Sequence, residues 1–254
     1  MPNESAGADD NIVVVYEDAE VVVINKPAGL VVHNDGITAE STVVEWFLRR
    51  APEARGVGEV AHSKTGEPLE RSGVVHRLDR DTSGIMVLAK TAAAHAHLKQ
   101  QFQARTVRKE YRAFVYGTLN DRWGTINRPI GRSSSDHRRW SAERGAKGVL
   151  REAITDFERI GSGEYHEESF SYVSLRPKTG RTHQLRCHLR AIDRPIVGDQ
   201  LYAAHKINAS NNLGFNRLAL HAYTLEFDLP QGERERFMAP LPFAFELAAE
   251  RIAE

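Results

Sequence analysis

Residues 74–89 read VVHRLDRDTSGIMVLA, with an apolar segment at each end and a polar segment between them. The continuous apolar run 85–89 is short, and it predicts a buried strand. Residues 82–84, Thr-Ser-Gly, supply turn chemistry immediately before that strand. Asp79 therefore lies in an irregular segment, where a carboxylate is accessible to a ligand.

Two arginines, Arg77 and Arg80, flank this aspartate. Nearby positive charge favours the carboxylate anion, which suits a nucleophile or a base rather than a general acid. A loop aspartate can equally cap a turn or pair with a neighbouring arginine, and such surface pairs contribute little. The residues alone leave both roles open.

The rest of the chain mixes strands and helices without a regular βαβ alternation. Thr42 and Glu45 have capping-box spacing and predict the start of a helix. We expect an α+β protein with a largely antiparallel sheet. The predicted elements are a hairpin of 12–16 and 21–25, helices 42–50, 91–104, 182–192 and 242–252, strands 85–89, 109–116, 170–175 and 218–229, and long loops 51–72 and 133–148.

Two predicted elements carry further candidates. In strand 109–116, alternation places Lys109 and Tyr111 on one face with apolar neighbours. Tyr111 could then form a pocket wall or be an ordinary core tyrosine. In helix 182–192, one stripe is apolar, whereas Arg186 falls on a second stripe and either reaches outwards or is solvated.

The formal net charge is zero, with 34 Lys and Arg against 34 Asp and Glu. A neutral chain is an unusual partner for nucleic acid, because phosphate neutralisation dominates such affinity. Between Lys99 and Arg151, however, cations far outnumber acids. This skew is compatible with a basic groove and with a solvated surface.

The single cysteine, Cys187, excludes an internal disulfide and a zinc site of paired cysteines. A reducing compartment, the cytoplasm, is the natural expectation. Residues 1–11 are polar and acidic, so we expect a flexible tail and no secretory signal. The apolar runs are too short to span a bilayer, which argues against a membrane partner.

Other chemistries lack their motifs. The pairs His95-x-His97 and His183-x4-His188 do not complete a metal-ligand set. Residues 178–180, Lys-Thr-Gly, have no companion Ser-x-x-Lys, and there is no Gly-x-Ser-x-Gly. A phosphate-binding P-loop is also missing, so we expect no nucleotide cofactor.

Several segments together resemble one known family. The segment 76–84 resembles the catalytic motif of the RluA family of RNA pseudouridine synthases, and companion segments follow the family's order. The resemblance extends from about Val13 to Phe227. The companion segments are 23–30 with 32–33, 109–113, 176–186 and 195–199.

The resemblance implies a pseudouridine synthase fold, with a mixed, mainly antiparallel sheet, flanking helices and a central active-site cleft. It implies that Asp79 is catalytic, that Tyr111 packs against the target base and that Arg186 forms a salt bridge with the aspartate. Arg77 would fill the space of the extruded base. No metal or organic cofactor is implied.

The expected partner is structured RNA, above all large-subunit ribosomal RNA. Transfer RNA is an alternative substrate, and a non-catalytic RNA-binding or assembly factor is an alternative function. No obligate protein partner is evident. The candidate RNA contacts are Lys26, Arg77, Arg80, Lys109, Arg138, Arg139, Arg181 and His183.

The basic loop 133–148 joins cations to the aromatic Trp140. It is therefore a candidate for RNA recognition, although a solvated loop has the same composition. Only about a dozen residues precede the first predicted strand, so we expect one catalytic domain over 12–254 without an N-terminal S4 domain.

Overall fold

The computed structural model describes residues 11–34, 40–62, 66, 68–204, 206 and 211–253. The chain divides into two compact units, residues 1–108 with 222–239 and residues 109–221 with 240–254. The predicted tail 1–11 lies outside the described residues except for Asn11. The expectation of a single catalytic domain over 12–254 stays a prediction.

The first unit is built on an antiparallel sheet. The predicted hairpin is confirmed, and its second strand pairs antiparallel with the apolar strand that follows the Asp79 segment. Every residue of that strand is buried, as the unbroken apolar run predicts. The strands of this sheet are β1 Val13–Glu17, β2 Val21–Lys26 and β5 Ser83–Ala89, and β3 Ala61–His62 and β4 Pro68–Leu69 form a separate antiparallel pair.

Helices cover this unit, and they begin at the capping box predicted for 42–45 and at the predicted start of helix 91–104. Thr42 accepts a hydrogen bond from the backbone N–H of Glu45, and the Glu45 side chain accepts one from the N–H of Thr42. Thr91 caps the next helix by accepting the backbone N–H of Ala94. The helices are α1 Val43–Arg50 and α2 Ala92–Ala104, and a 3-10 helix Pro52–Ala54 and the β3–β4 pair interrupt the predicted loop 51–72.

The second unit holds an antiparallel sheet and a small three-stranded sheet. In the larger one, β6 Arg108–Tyr116 pairs with β12 Glu168–Pro177, followed by β11 Ile154–Tyr165 and β7 Trp123–Asn127. The smaller one has the order β10-β8-β9. Its strands are β8 Ile130–Arg132, β9 Trp140–Ser141 and β10 Lys147–Arg151.

The predicted long loop 133–148 is interrupted by β9 and by the start of β10, whereas residues 133–139 and 142–146 form no strand. Two helices, α3 Gln184–Ala191 and α4 Phe243–Arg251, pack on the larger sheet through Leu185, Leu189 and Phe245. The remaining strands, β13 Leu220–Asp228 and β14 Arg234–Met238, form an antiparallel pair.

The predicted α+β class with a mainly antiparallel sheet is confirmed. None of the helices in the described ranges is long and apolar enough to span a membrane.

Candidate functional site

Asp79 lies on a loop of the first unit, directly before β5. The backbone N–H of Thr82 donates to the carbonyl oxygen of Asp79 at 3.1 Å and closes a turn. Leu78 and Thr82 are buried on either side, whereas Asp79 itself is half-buried. The carboxylate is thus carried on a turn that is anchored in the core at both ends.

A histidine holds the start of this loop. Nε2 of His76 accepts the backbone N–H of Val87 at 3.1 Å, and its ring stacks on Phe102 with centroids 4.7 Å apart. Both contacts fix the chain three residues before Asp79. They limit the freedom of the loop, which is a requirement for precise placement of a reacting group.

The flanking arginines lie at the surface. The side chains of Arg77 and Arg80 are exposed, and Nη1 of Arg80 pairs with Glu40 at 2.5 Å. Burial, and then the charge of Arg77, lower the pKa of Arg71, which nevertheless keeps its charge as arginines do. The charge of Arg80 is thus partly balanced by Glu40, and the RNA contacts expected of Arg77 and Arg80 stay predictions.

Lys26 is fully buried, with 0% of its surface exposed. Its ammonium donates to the carbonyl oxygens of Pro27 at 2.7 Å, Leu30 at 2.8 Å and Arg80 at 2.9 Å. The sequence-based expectation that Lys26 contacts RNA is therefore wrong, because a buried ammonium that already donates three hydrogen bonds does not reach a phosphate. It braces the loop next to Asp79 instead.

Tyr111 and Lys109 lie on the same face of β6 in the second unit. Tyr111 is partly exposed and packs against the main core of this unit. Nζ of Lys109 lies 3.4 Å from the carbonyl oxygen of Thr179, and burial lowers its pKa to about 8. Because Tyr111 is only partly buried, its ring is partly accessible, which stacking against a base would require.

Arg186 makes a bidentate ion pair. Its Nε donates to Oδ2 of Asp199 at 2.7 Å, and its Nη2 donates to Oδ1 at 2.8 Å. Asp199 is 1% exposed and also accepts the backbone N–H groups of Leu201 and Tyr202. The predicted ion pair of Arg186 with Asp79 would join residues of different units and stays a prediction.

The segment before α3 is held by buried polar side chains. Oε1 of Gln184 accepts from the Thr179 hydroxyl at 2.7 Å and from the backbone N–H of Arg181 at 3.0 Å. The side chain of Arg181 donates to the Glu152 carbonyl oxygen at 2.9 Å. His183 occupies the left-handed region with φ 54°, a strained conformation that is common at functional sites.

Arg138 and Arg139, the predicted RNA contacts of the small-sheet region, share one acid. Arg138 pairs with Asp136 at 2.8 Å, and Arg139 pairs with the same carboxylate at 3.3 Å. Arg132 lies over the ring of Trp140, with Cζ 4.1 Å from the ring centroid. The cations of this region are thus partly neutralised within it.

Among the described ranges, no group of three or more His, Cys, Asp or Glu side chains is arranged to hold a metal ion.

The sequence profile described as RNA pseudouridylate synthase matches residues 20–191 of the chain. The chain belongs to this family. The matched segment includes Asp79, Tyr111 and Arg186. The resemblance to the RluA family inferred from the motifs is therefore confirmed.

Curated relatives agree with the family. An uncharacterized RNA pseudouridine synthase of Synechocystis sp. is 39% identical over 237 residues, covering 92% of this chain and 66% of the relative. Ribosomal large subunit pseudouridine synthase D of Xanthomonas campestris pv. campestris is 40% identical over 247 residues, covering 94% of this chain and 68% of the relative. The chain therefore spans about two thirds of the length of these relatives.

Solved structures of RNA pseudouridylate synthases share the fold. Human RNA pseudouridylate synthase domain containing 1 superimposes with a TM-score of 0.73 at 27% identity, covering 96% of this chain and 89% of that chain. Human RNA pseudouridylate synthase domain containing 4 gives a TM-score of 0.69, also at 27% identity, with 94% and 92% covered. The predicted pseudouridine synthase fold is confirmed by these likenesses.

Sequence reasoning misses two residues of the Arg186 environment. Asp199 ends the segment 195–199, but the sequence pattern assigns no role to it or to Tyr202. A signal is present, because an aspartate at the start of a turn often accepts backbone N–H groups two and three residues later. Asp199 does so with Leu201 and Tyr202.

Proposed function

We propose that this RNA pseudouridylate synthase family member converts uridine to pseudouridine in structured RNA, and that its substrate is large-subunit ribosomal RNA. The observation that carries the proposal is the Asp79 loop, whose carboxylate is offered on a turn that Lys26 and His76 hold in place. Relatives named ribosomal large subunit pseudouridine synthase D support the choice of RNA.

The reaction needs few groups. The bond between N1 and the sugar breaks, the base rotates, C5 bonds to the same sugar carbon, and the proton on C5 is lost while N1 gains one. No net redox change or hydrolysis occurs. Asp79 would act on the sugar as nucleophile or as base. Tyr111 would stack on the extruded base, and Arg77 would fill its place in the RNA.

The test is release of tritium from RNA labelled at uridine C5. Wild-type protein should release it, and Asp79→Asn, which keeps the shape of the side chain, should lose at least about a thousandfold in rate. Asp121→Asn is the matched control, because Asp121 is an exposed aspartate outside the family segments. RNA binding without any release by wild-type protein would instead identify a non-catalytic RNA-binding factor.

The substrate is tested with separate labelled pools. Large-subunit ribosomal RNA should lose tritium, whereas transfer RNA from the same cells should keep it. Release from transfer RNA alone would contradict the ribosomal assignment while leaving the enzyme activity intact.

A further inference from the structure

Tyr202 lies in a small satellite core of the second unit. Its side chain is 4% exposed and is clustered with Cys187 of α3 and with Ile130 and Ala142 from the small-sheet region. The small sheet and α3 therefore meet at this tyrosine.

The hydroxyl of Tyr202 is saturated with hydrogen bonds. It accepts the backbone N–H of Trp140 at 2.9 Å and the thiol of Cys187 at 3.4 Å. Its third partner is Nδ1 of His183, which lies 3.0 Å away and accepts the hydroxyl proton when the imidazole carries its own proton on Nε2. Burial raises the pKa of Tyr202, which keeps that proton in place.

The other end of Tyr202 faces Arg186. Cζ of Arg186 lies 5.0 Å from the centre of the tyrosine ring, within the range of a cation–π interaction. The backbone N–H of Tyr202 donates to Oδ1 of Asp199 at 2.9 Å, and the same carboxylate holds Arg186 in its bidentate pair. One residue thus orients both the ring and the carboxylate that contact the guanidinium.

We propose that Tyr202 is a positioning residue, whose hydroxyl anchors its ring and its backbone N–H against Arg186 and Asp199 and so ties that arginine to the Trp140 strand of the small sheet. The proposal rests on the proposed function, in which Arg186 serves the reaction. A strand that contacts RNA would then act on the geometry of Arg186 through one hydroxyl. Small misplacements of a group at a reacting centre are costly in rate.

The experiment compares Tyr202→Phe with a matched variant, Tyr16→Phe. Each variant removes one tyrosine hydroxyl that forms hydrogen bonds. The Tyr16 hydroxyl, on the edge strand β1 of the first unit, donates to Asp18 at 2.9 Å. Single-turnover tritium release at saturating protein gives the rate, and filter binding gives the RNA dissociation constant. The ¹⁵N signal of Arg186 Nε, assigned by its loss in Arg186→Lys, reports the arginine directly.

Tyr202→Phe should slow single turnover at least about tenfold and change the RNA dissociation constant by less than about twofold. Its Arg186 Nε–H signal should broaden or exchange faster, whereas Tyr16→Phe should match wild type in every measurement. His183→Ala, which removes the partner of the Tyr202 hydroxyl at Nδ1, should broaden the Arg186 Nε–H signal in the same way, which keeps the proposal testable if Tyr202→Phe does not fold.

Two other outcomes separate the two proposals. An active wild type with unchanged rate and unchanged Arg186 signal in Tyr202→Phe would overturn the positioning role and leave the proposed function standing. An inactive wild type would overturn the proposed function. The positioning role would then be decided by the Arg186 Nε–H signal alone. An unchanged signal in Tyr202→Phe would refute that role, and a broadened signal would support it.

Discussion

The ammonium of Lys26 donates to the carbonyl oxygen of Arg80 at 2.9 Å, across 54 residues of chain. The backbone N–H of Gly29 donates to the same oxygen at 2.9 Å. The end of β2 and the turn behind Asp79 are thereby joined through one carbonyl. The segment 23–30 and the Asp79 segment, which are separate motifs in the sequence, form one structural element.

Replacing Lys26 with Met should therefore destabilise the protein and reduce its activity. The methionine fills most of the volume but leaves the carbonyls of Pro27, Leu30 and Arg80 without this donor, at a cost of about 3 kcal/mol in free energy of unfolding. Urea denaturation measures the cost. Lys99→Met is the control, because Lys99 pairs with Glu59 at the surface and should contribute less than about 1 kcal/mol. Equal effects of the two variants would contradict the bracing role.

Gly84 should not tolerate a side chain. Its φ is +118°, and a Cβ there would lie 2.1 Å from the carbonyl oxygen of Ala222. Both β5 and β13 would have to shift, so we expect Gly84→Ala to lower the free energy of unfolding by at least about 3 kcal/mol. Thermal and urea denaturation test this.

Gly56→Ala is the matched control for Gly84. Gly56 has a positive φ of +77°, but the space that an added methyl group would occupy is open, so only backbone strain of about 1 kcal/mol is expected. A Gly84→Ala protein as stable as Gly56→Ala would show that the close approach to Ala222 is relieved at little cost.

His188 should make stability depend on pH. Its Nε2 donates to the carbonyl oxygen of Arg128 at 2.9 Å, and its Nδ1 accepts from the hydroxyl of Thr155 at 2.9 Å. Burial lowers the pKa of His188 below its ordinary value of 6.5, so the unfolded chain takes up this proton first as the pH falls. The stabilisation is complete above the ordinary pKa of 6.5. It is lost progressively as the pH falls from that value through the lowered pKa of the folded protein.

The measurement is the free energy of unfolding between about pH 5 and about pH 7, where one such proton contributes a slope of up to about 1.4 kcal/mol per pH unit. His188→Gln should flatten the slope. His137→Gln, at an exposed position, should keep the wild-type slope. Identical slopes in all three proteins would refute the assignment to His188.

In the small-sheet region, removing arginines and removing their acidic partner should change the RNA affinity in opposite directions. If Arg138 and Arg139 contact phosphates, they must give up part of their pairing with Asp136. Replacing both with Ala should weaken RNA binding and reduce the salt dependence by about one counterion for each lost contact. Asp136→Asn should strengthen RNA binding, because it removes the competing carboxylate.

Filter binding at several salt concentrations measures both effects. Unchanged affinity and unchanged salt slope in the double variant would remove these arginines from the RNA surface.

Elements governed by short-range chemistry are predictable from the sequence. The capping box of Thr42 and Glu45 starts α1 as expected, and the apolar run 85–89 forms the last five residues of the buried strand β5. Each depends on contacts between residues close in sequence. The family motifs are recognisable for a related reason, because each is a contiguous run of residue types.

Strand β11 is not predicted by the sequence pattern. It contains Gly161 and Gly163, which favour turns, and its side chains are mostly partly exposed. A Cβ at Gly163 would lie 1.9 Å from the carbonyl oxygen of Ile252, so the glycine provides room for the end of α4. The local pattern is therefore typical of a loop. The contact that requires a glycine at 163 is made by Ile252, about ninety residues further along the chain.

The amino-acid sequence by itself determined the family, the α+β class, the helix starts and Asp79 as the candidate catalytic group. Only the tertiary structure decided that Lys26 is buried on three carbonyls, that Asp199 grips Arg186, and that Tyr202 links both to the small sheet. The physical reason is that burial and ion pairing depend on which segments the fold brings together. A sequence pattern reports the chemistry of a side chain but not the partners that surround it.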